Sequence, residues 1–259
     1  MTPLTDSQSK HIRELLRAAS ARREYNEFII EGPHALEVAL AKRPELIQQV
    51  IFTEAATERY PKLQISCFTK KIHLFSLPAK LASRISETEE PQGIFAVLKI
   101  PDRASSSIGD FALALDSVQD PGNVGTIIRT AAWFGVKSLI FGEGTADPYA
   151  PKVVRSTQGA LFEVNIETKA NLGERLKKLQ SDGWKIVATT LESKARSLYN
   201  IPIPQKTVLL LGSEAHGVSD ELLRIADDQI IIPRYGEGES LNVATSAAII
   251  LAEFRRRAK

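Results

Sequence analysis

The sequence has little sulfur chemistry and no zinc-type cluster. Its 259 residues include one cysteine, Cys67, so no disulfide can form within the chain. The four histidines, at positions 11, 34, 73 and 216, are scattered and have no metal-ligand spacing to that cysteine. We therefore expect no metal site, and a free thiol fits a reducing compartment.

Long apolar runs and a strong charge bias are also missing. No run reaches the length of a membrane span, and the first 25 residues lack the apolar stretch of a secretory signal. Asp6, Glu14 and Glu24 argue against an organelle transit peptide, which is poor in acids. The formal net charge of +2 is compatible with a nucleic-acid partner but does not argue for one. We expect a cytoplasmic protein with no membrane contact.

The sequence lacks both common phosphate-binding fingerprints. Gly122 and Gly125 match neither G-x-G-x-x-G nor the G-x-x-x-x-G-K-[ST] loop. This argues against a nucleotide-dependent dehydrogenase of the doubly wound type. A turn followed by a helix, with Asp120 or Asn123 as its cap, accounts for the glycines equally well.

What is present is an alternation of strand and helix patterns, which indicates an α/β protein. The stretch "KIPDRASSSIGD" interrupts it, so we predict a domain at 1–98, a linker at 99–109 and a second domain at 110–259. In the first part the patterns predict helices and strands in the following order: a helix at 6–20, a strand at 27–32, a helix at 33–42, strands at 46–53 and 65–68, a helix at 77–85 and a strand at 93–100.

The second part has apolar, β-branched strands that are typical of a buried parallel sheet. Ligands bind beyond the carboxyl ends of such strands, and polar or glycine-rich segments follow several of them. Examples are "QDPGNVGTIIRTA", "GSEAHGVSD" and "RYGEGESLN". We therefore expect the functional site at this edge of the sheet.

Taken alone, each polar residue in these segments also has an ordinary explanation. Arg129 lies in an apolar helix, where it either faces a cleft or reaches the surface. Glu214 is either functional or a solvated loop carboxylate, and Ser240 and Asn242 are typical helix caps. We interpret His216 as solvated. The remaining residues are read as structural: Cys67 as a core residue, Trp133 and Trp184 as packing aromatics, and the tail "RRRAK" as a solvated helix end.

Three stretches together resemble the motifs of SpoU-type, TrmH-like RNA ribose 2′-O-methyltransferases of the SPOUT superfamily. They are "DSVQDPGNVGTIIRTAAWFG", "LLLGSEAHGVSDELL" and "IIIPRYGEGESLNVATSAAIILAEF". The segment "APKVVRSTQGALFEV" also resembles the family. The resemblance covers residues 110–257, and the first hundred residues resemble the substrate-binding domain often attached to this family.

The resemblance implies a parallel sheet with a C-terminal trefoil knot, an exception to the rule against knots, and a smaller N-terminal α/β RNA-binding domain. It implies S-adenosylmethionine as methyl donor and a homodimer formed through the knotted domain. The substrate is RNA, with ribosomal RNA favoured and transfer RNA as the other candidate. A non-catalytic RNA-binding protein that retains the knot is the alternative.

Carried over by position, the family's functional residues form two sets. The catalytic set is Asn123, Arg129, Glu214, Ser240 and Asn242. The cofactor-binding set is Thr189, Leu191, Leu211, Gly212, Ile232, Leu241 and Asn242. Separately, RNA contacts are expected at Arg155 and at Arg22 and Arg23, which form a basic cluster with Lys10, Arg13 and Arg17 that a solvated helix face would explain equally well. Arg234 and Tyr235 replace residues that are more often small or apolar in the family.

The family proposal makes Arg129 the base, which is chemically awkward because a guanidinium keeps its proton up to pH of about 12. We expect instead that Arg129 binds the target phosphate and orients the hydroxyl. Glu214 and Asn123 would hold Arg129, while Ser240 and Asn242 would fix the loop and the ribose.

Overall fold

A computed structural model describes residues 1–78, 81–82, 85–86, 91–102, 108–192 and 194–257. The chain forms two compact units: Met1–Asp102 with Tyr149–Phe162, and Arg103–Pro148 with Glu163–Lys259. Residues 103–107 of the predicted linker lie outside the described residues. The same is true of residues 79–80 and 83–84 of the helix predicted at 77–85.

The described helices and strands alternate through most of the chain, as predicted. The helices are α1 (Asp6–Arg17), α2 (Ala19–Tyr25), α3 (Pro33–Lys42), α4 (Glu54–Arg59), α5 (Pro61–Thr69), α6 (Pro121–Trp133), α7 (Pro151–Thr157), α8 (Leu172–Ser181), α9 (Asp220–Ile225) and α10 (Val243–Arg257). The strands are β1 (Thr2–Pro3), β2 (Glu27–Glu31), β3 (Ile47–Thr53), β4 (His73–Leu77), β5 (Ile94–Lys99), β6 (Phe111–Leu115), β7 (Ser138–Gly142), β8 (Asn165–Ala170), β9 (Lys185–Thr189), β10 (Arg196–Ser197), β11 (Thr207–Leu211) and β12 (Asp228–Ile231).

The first unit contains a mixed sheet with the strand order β1-β4-β3-β5-β2. Strand β5 runs antiparallel to both β2 and β3, whereas β1, β4 and β3 are parallel. Helix α1 begins with a capping box in which the Thr5 hydroxyl accepts from the Gln8 amide and the Gln8 side chain accepts from the Thr5 amide. Its apolar face packs in one core cluster with residues of β2, β3 and β5.

The strand predicted at 65–68 is wrong, because these residues lie within helix α5. Pro61 occupies the first turn, where its missing amide hydrogen costs nothing. Leu63 and Cys67, four residues apart, are buried on one face of the helix. The core position predicted for Cys67 is confirmed, and burial raises the pKa of its thiol to about 11.

The second unit contains a seven-stranded sheet with the order β10-β12-β9-β11-β6-β7-β8. Every neighbouring pair is parallel. This confirms the parallel sheet predicted from the apolar strands. Trp184 is buried in the core of this unit, as predicted. No helix in the described part of the chain has the length and apolarity to cross a membrane.

The segment Tyr149–Phe162 follows β7 in sequence but belongs to the first unit. Helix α7 contacts β2, and its buried residues include Val153 and Val154. The rings of Tyr149 and Phe28 lie 5.0 Å apart between centroids. The chain therefore leaves the second unit after β7 and returns to it before β8.

Candidate active site

The carboxyl ends of β12, β9 and β11 meet at one edge of the parallel sheet. Strand β9 lies between the other two, with Thr189 opposite Ile230 of β12 and Ala188 opposite Leu210 of β11. The Thr190 amide donates to the Ile230 carbonyl over 3.0 Å. Most of the predicted cofactor-binding residues lie at or just beyond these three strand ends, so the fold brings them to the same edge.

Gly212, which follows β11, lies against another backbone segment. A Cβ at this position would be 1.9 Å from the Gly217 carbonyl carbon and 2.0 Å from the Val218 nitrogen. The turn between them is closed by two hydrogen bonds between Ser213 and Gly217, of 3.0 and 2.9 Å. Only glycine fits here, and the loop that carries Glu214 is therefore tightly folded back on itself.

A chain of three polar side chains joins the three motifs of the second unit. Asn242 Nδ2 donates to Asn123 Oδ1 over 2.9 Å, and Asn123 Nδ2 donates to Glu214 Oε1 over 2.6 Å. These residues are separated by 119 and 91 positions in the sequence. We call Asn242, Asn123 and Glu214 the amide relay.

Helix capping fixes both asparagines of the relay. Asp120 is the cap of α6, and its Oδ1 accepts from the Asn123 amide over 2.8 Å. Asn242 precedes α10, and its Oδ1 accepts from the Ala244 and Thr245 amides over 2.9 and 3.3 Å. Each asparagine therefore sits at the start of a helix, and its side-chain amide group points to the next member of the relay.

Asp116 also joins two motifs, and the sequence analysis did not single it out. Its Oδ2 accepts from the Ser219 amide over 2.9 Å, and its own amide donates to the Leu211 carbonyl over 2.8 Å. Ser219 is the residue before α9, but its side chain makes no capping hydrogen bond. Asp116 therefore tethers the end of β6 to the loop that carries Glu214. The sequence signal for Asp116 was its position directly after an apolar strand, where site residues of parallel sheets lie.

Comparison with protein families decides the identity of the chain. The model of the SpoU rRNA methylase family matches residues 110–252, which contain the whole amide relay. The chain belongs to the SpoU rRNA methylase family. A second model, described as an MRM3-like substrate-binding domain, matches residues 7–96 of this SpoU methylase.

Relatives and solved structures agree with this assignment. The 23S rRNA (guanosine(2553)-2′-O)-methyltransferase of Bacillus subtilis is 35% identical over 240 residues, 93% of each chain. An S-adenosylmethionine-bound rRNA methyltransferase from Sinorhizobium meliloti superposes with a TM-score of 0.85 at 29% identity, covering 100% of this chain and 98% of that one. The SpoU methyltransferase AviRb of Streptomyces viridochromogenes, in complex with S-adenosylmethionine, gives 0.86 at 25% identity over 98% of both chains.

These comparisons confirm the predicted family, the enzyme class of RNA ribose 2′-O-methyltransferase and the methyl donor S-adenosylmethionine. They also confirm the smaller N-terminal substrate-binding domain. The dehydrogenase alternative is thereby excluded. The roles of individual residues are not tested by these likenesses and stay predictions.

The residues of this SpoU methylase at the strand ends fit the methyl donor. Leu191 and Leu241 are 68% and 51% exposed, which leaves apolar surface for an adenine ring. The close backbone approach at Gly212 leaves no side chain between a ligand and the loop. Leu211 has a fully buried side chain, so any contact it makes would come from its backbone. Ile232 is half-buried after β12.

Arg129 lies on α6, but the structure does not place it in the amide relay. Its side chain is exposed, and it forms no hydrogen bond or ion pair with any described residue. The expectation that Glu214 and Asn123 hold Arg129 is therefore wrong, since Asn123 and Glu214 bond to each other instead. Ser240 is exposed in the loop before α10.

The predicted RNA-contacting arginines have different environments in the first unit. Arg22 is 5% exposed, and its Nη1 donates to the Leu15 carbonyl over 2.6 Å and the Leu16 carbonyl over 3.3 Å. Arg22 thus binds the carboxyl-terminal carbonyls of α1, which argues against a phosphate contact. Arg23 is exposed, and Arg155 is half-buried on α7.

Two interpretations of the aromatic and basic residues in this SpoU methylase are wrong. Trp133 is 85% exposed at the end of α6, not packed. Arg255 is not a simple solvated cation, because its Nε donates to the Phe134 carbonyl over 2.6 Å and its Nη2 to the Gly135 carbonyl over 3.2 Å. It satisfies carbonyls left free at the end of α6 and so joins α10 to α6.

Proposed function

We propose that this SpoU methylase transfers a methyl group from S-adenosylmethionine to a ribose 2′-hydroxyl of ribosomal RNA, with 23S rRNA as the favoured substrate. The amide relay carries the proposal, because three residues from distant parts of the chain are bonded at the strand ends where the donor would bind. The name of the Bacillus subtilis relative, which matches over 93% of both chains, supports 23S rRNA over transfer RNA.

The donor-binding residues in this proposal are Gly212, Ile232 and Leu241, with Thr189, Leu191, Leu211 and Asn242 around them. When bound, the donor supplies an electrophilic methyl group on a sulfonium centre. The chain's own contribution is to cover the adenosine with Leu191 and Leu241. The apolar exposure of both leucines supports this role.

Arg129 binds the phosphate next to the target ribose in this proposal. Its guanidinium has no partner among the described residues and is therefore available for a bidentate phosphate contact. It also stabilises negative charge on the 2′-oxygen as the new carbon–oxygen bond forms and the hydroxyl proton passes to solvent. Ser240 fixes the loop and the ribose from the other side.

The amide relay sets the position of the loops around that oxygen. Glu214 is held by Asn123, so its second oxygen is available to accept a hydrogen bond from the substrate. Asn242 connects this pair to the start of α10. Positioning of this kind supplies a large share of the acceleration in transfer reactions.

We further propose that α10 is threaded through an earlier loop as a trefoil knot, that the protein is a homodimer and that it is cytoplasmic. Strand β12 lies two places from β11 in the sheet, yet α10 packs against α6, which follows β6. A chain that crosses the sheet in this way fits a threaded end. The exposed Trp133 fits a contact between two copies of α6. Sedimentation equilibrium is expected to give the mass of a dimer.

The alternative is a non-catalytic RNA-binding protein that keeps the fold. The complete amide relay favours an enzyme, since a protein that only binds RNA has no need of three side chains held in place beside a donor site. A protein that binds RNA and S-adenosylmethionine without methyl transfer would support the alternative.

The test is ribose-methylation mapping of total RNA from cells with and without the gene. We expect one nucleotide of 23S rRNA to lose its 2′-O-methyl group in the deletion strain. Purified protein should then methylate that nucleotide in unmethylated 23S rRNA, and Arg129→Ala protein should not. Loss of a transfer RNA methyl group would contradict the proposed substrate, and an unchanged map would contradict the proposed activity.

A further inference from the structure

Helix α5 presents an exposed apolar pair that no residue of the described first unit covers. Ile65 and Phe68 are 65% and 79% exposed, while Leu63 and Cys67 on the opposite face of the same helix are buried. Single exposed apolar residues are common, but a large aliphatic and an aromatic side chain together on one helix face are not. The face is therefore a candidate for contact with a partner.

Three lysines lie within three residues of this pair in the sequence, one on α5 and two directly after it. Lys62, Lys70 and Lys71 are exposed, and their side chains form no ion pair or hydrogen bond with described residues. The stretch from Arg59 to His73 contains no aspartate or glutamate. We call the exposed side chains of Lys62, Ile65, Phe68, Lys70 and Lys71 the α5 face.

Unpaired cations next to an exposed aromatic ring match the chemistry of single-stranded nucleic acid. Lysine ammonium groups bind phosphates, and an aromatic ring stacks on an unpaired base of any sequence. A purely acidic or a purely apolar protein surface would satisfy only one part of the face. RNA loops and bulges provide both phosphates and splayed bases, and sequence-dependent RNA recognition mostly uses such unpaired segments.

We propose that the α5 face is an RNA-binding surface on which Phe68 stacks an unpaired base of the substrate while Lys70 and Lys71 bind the flanking phosphates. The proposal rests on RNA being the substrate. It involves residues that are separate from Arg23 and Arg155, and its effect is on affinity for RNA and not on the methyl-transfer step.

The probes are a fluorescein-labelled single-stranded RNA of mixed sequence and purified 23S rRNA used as competitor. Phe68→Ala is expected to weaken binding of both about tenfold, because stacking on one base is worth about that factor or more. Phe68→Leu, which keeps an apolar side chain but removes the ring, should weaken binding nearly as much. Lys70→Ala with Lys71→Ala should weaken binding at low salt and reduce its salt dependence.

The matched control is Lys177→Ala with Lys178→Ala, another adjacent pair of exposed lysines, on α8 in the second unit. It should bind RNA within about twofold of the wild type. Calorimetry with S-adenosylmethionine should give the same affinity for every variant, which shows that the second unit is intact in each.

An affinity of Phe68→Ala protein within twofold of the wild type would overturn the proposal. A changed sedimentation mass with unchanged RNA affinity would also overturn it and would assign the α5 face to contact between copies of this chain. Wild-type protein that binds S-adenosylmethionine but binds neither the labelled RNA nor 23S rRNA would contradict the proposed function itself. Failure of the α5-face proposal and failure of the proposed function therefore give different results.

Discussion

The candidate active site and the α5 face use polar residues in opposite ways. At the site, the members of the amide relay bond to one another and Asp116 accepts from the Ser219 amide, so each group has a fixed position. On the α5 face, the lysines and Phe68 project from the surface without partners among the described residues. Catalysis requires groups held in place, whereas binding to a flexible polymer tolerates mobile contacts that act additively.

Arg129 is the residue that tests this distinction most strongly, because it lies in the second unit but, like the lysines of the α5 face, has no partner in the part of the chain that the structure describes. Arg129→Ala should lower kcat by about 10²–10³-fold, since it removes charge stabilisation in the transition state. Its affinity for S-adenosylmethionine should stay the same. Single-turnover methylation with a tritiated donor and saturating RNA measures the rate.

Arg224→Ala, an exposed arginine of the same unit, is the control and should keep the wild-type rate. Arg129→Lys should recover only part of the loss, because an ammonium cannot make a bidentate phosphate contact. A loss confined to RNA affinity, with kcat unchanged, would place Arg129 with the binding residues and remove it from the catalytic set.

The amide relay should behave as one unit. Asn123→Ala and Asn242→Asp should each lower kcat by about 10²-fold, because each breaks the chain of hydrogen bonds to Glu214. Asn242→Asp keeps the oxygen that caps α10, so its loss is not due to an uncapped helix. The measurement is kcat of both single variants and of the double variant.

If the relay is a unit, the double variant should be at most about tenfold slower than the slower single variant. Fully multiplicative losses would show that the two asparagines act independently. That result would remove the difference between the candidate active site and the α5 face, because the residues of both regions would then act additively.

Asp227, the residue before β12, accepts a hydrogen bond from the Ile186 amide near the start of β9, away from the amide relay. Its substitution should change stability and leave RNA binding unchanged. Burial by itself would raise the pKa of Asp227, but hydrogen bonds from the Ile186 amide, Lys185 and Gln180 lower that pKa overall. Because the folded-state pKa lies below the ordinary value of 3.8, the stabilisation is fully present above that value and is lost as the pH falls through the folded pKa.

Asp227→Asn should therefore lower the free energy of unfolding by about 1–2 kcal/mol at pH 7. Urea denaturation of both proteins between pH 7 and pH 3 should show the difference shrinking at the acid end. A difference that stays constant over this range would show that the charge of Asp227 has no role. RNA affinity should be unchanged.

Arg255 should give the smallest effect. Arg255→Ala leaves the Phe134 and Gly135 carbonyls without their side-chain donor and should lower the free energy of unfolding by about 1 kcal/mol. Arg256→Ala, which removes an ion pair with Glu253 in which the arginine is 70% exposed, is the control and should change stability less. Equal losses in thermal unfolding would mean that the link between α10 and α6 contributes nothing beyond surface charge.

Much of the fold could be predicted from hydrophobic patterning, because most strands are apolar and most helices have one apolar face. The prediction failed at 65–68, where a short apolar run does not distinguish strand from helix. Pro61 followed by buried positions at 63 and 67 was the better indication. The family's motifs located the catalytic segments, but they could not show that Asn123 bonds to Glu214, because such contacts depend on helix caps formed far apart in sequence.

Other features had no indication in the sequence. Arg22 and Arg255 both bind the terminal carbonyls of neighbouring helices, yet each looks like an ordinary surface cation in a basic stretch. The placement of Tyr149–Phe162 in the first unit depends on the packing of α7 against β2, which no local pattern predicts.

That placement means that the polypeptide passes between the two units three times, at residues 102–103, 148–149 and 162–163. A single protease cut near residue 102 would therefore leave the first fragment without Tyr149–Phe162, which would stay covalently attached to the second unit. A truncated chain beginning near residue 110 would expose Val153 and Val154 to water, and the remaining fragment would have a bare patch on β2. The two units alternate along the sequence, so exchanging one continuous stretch of the chain cannot replace the first unit by itself.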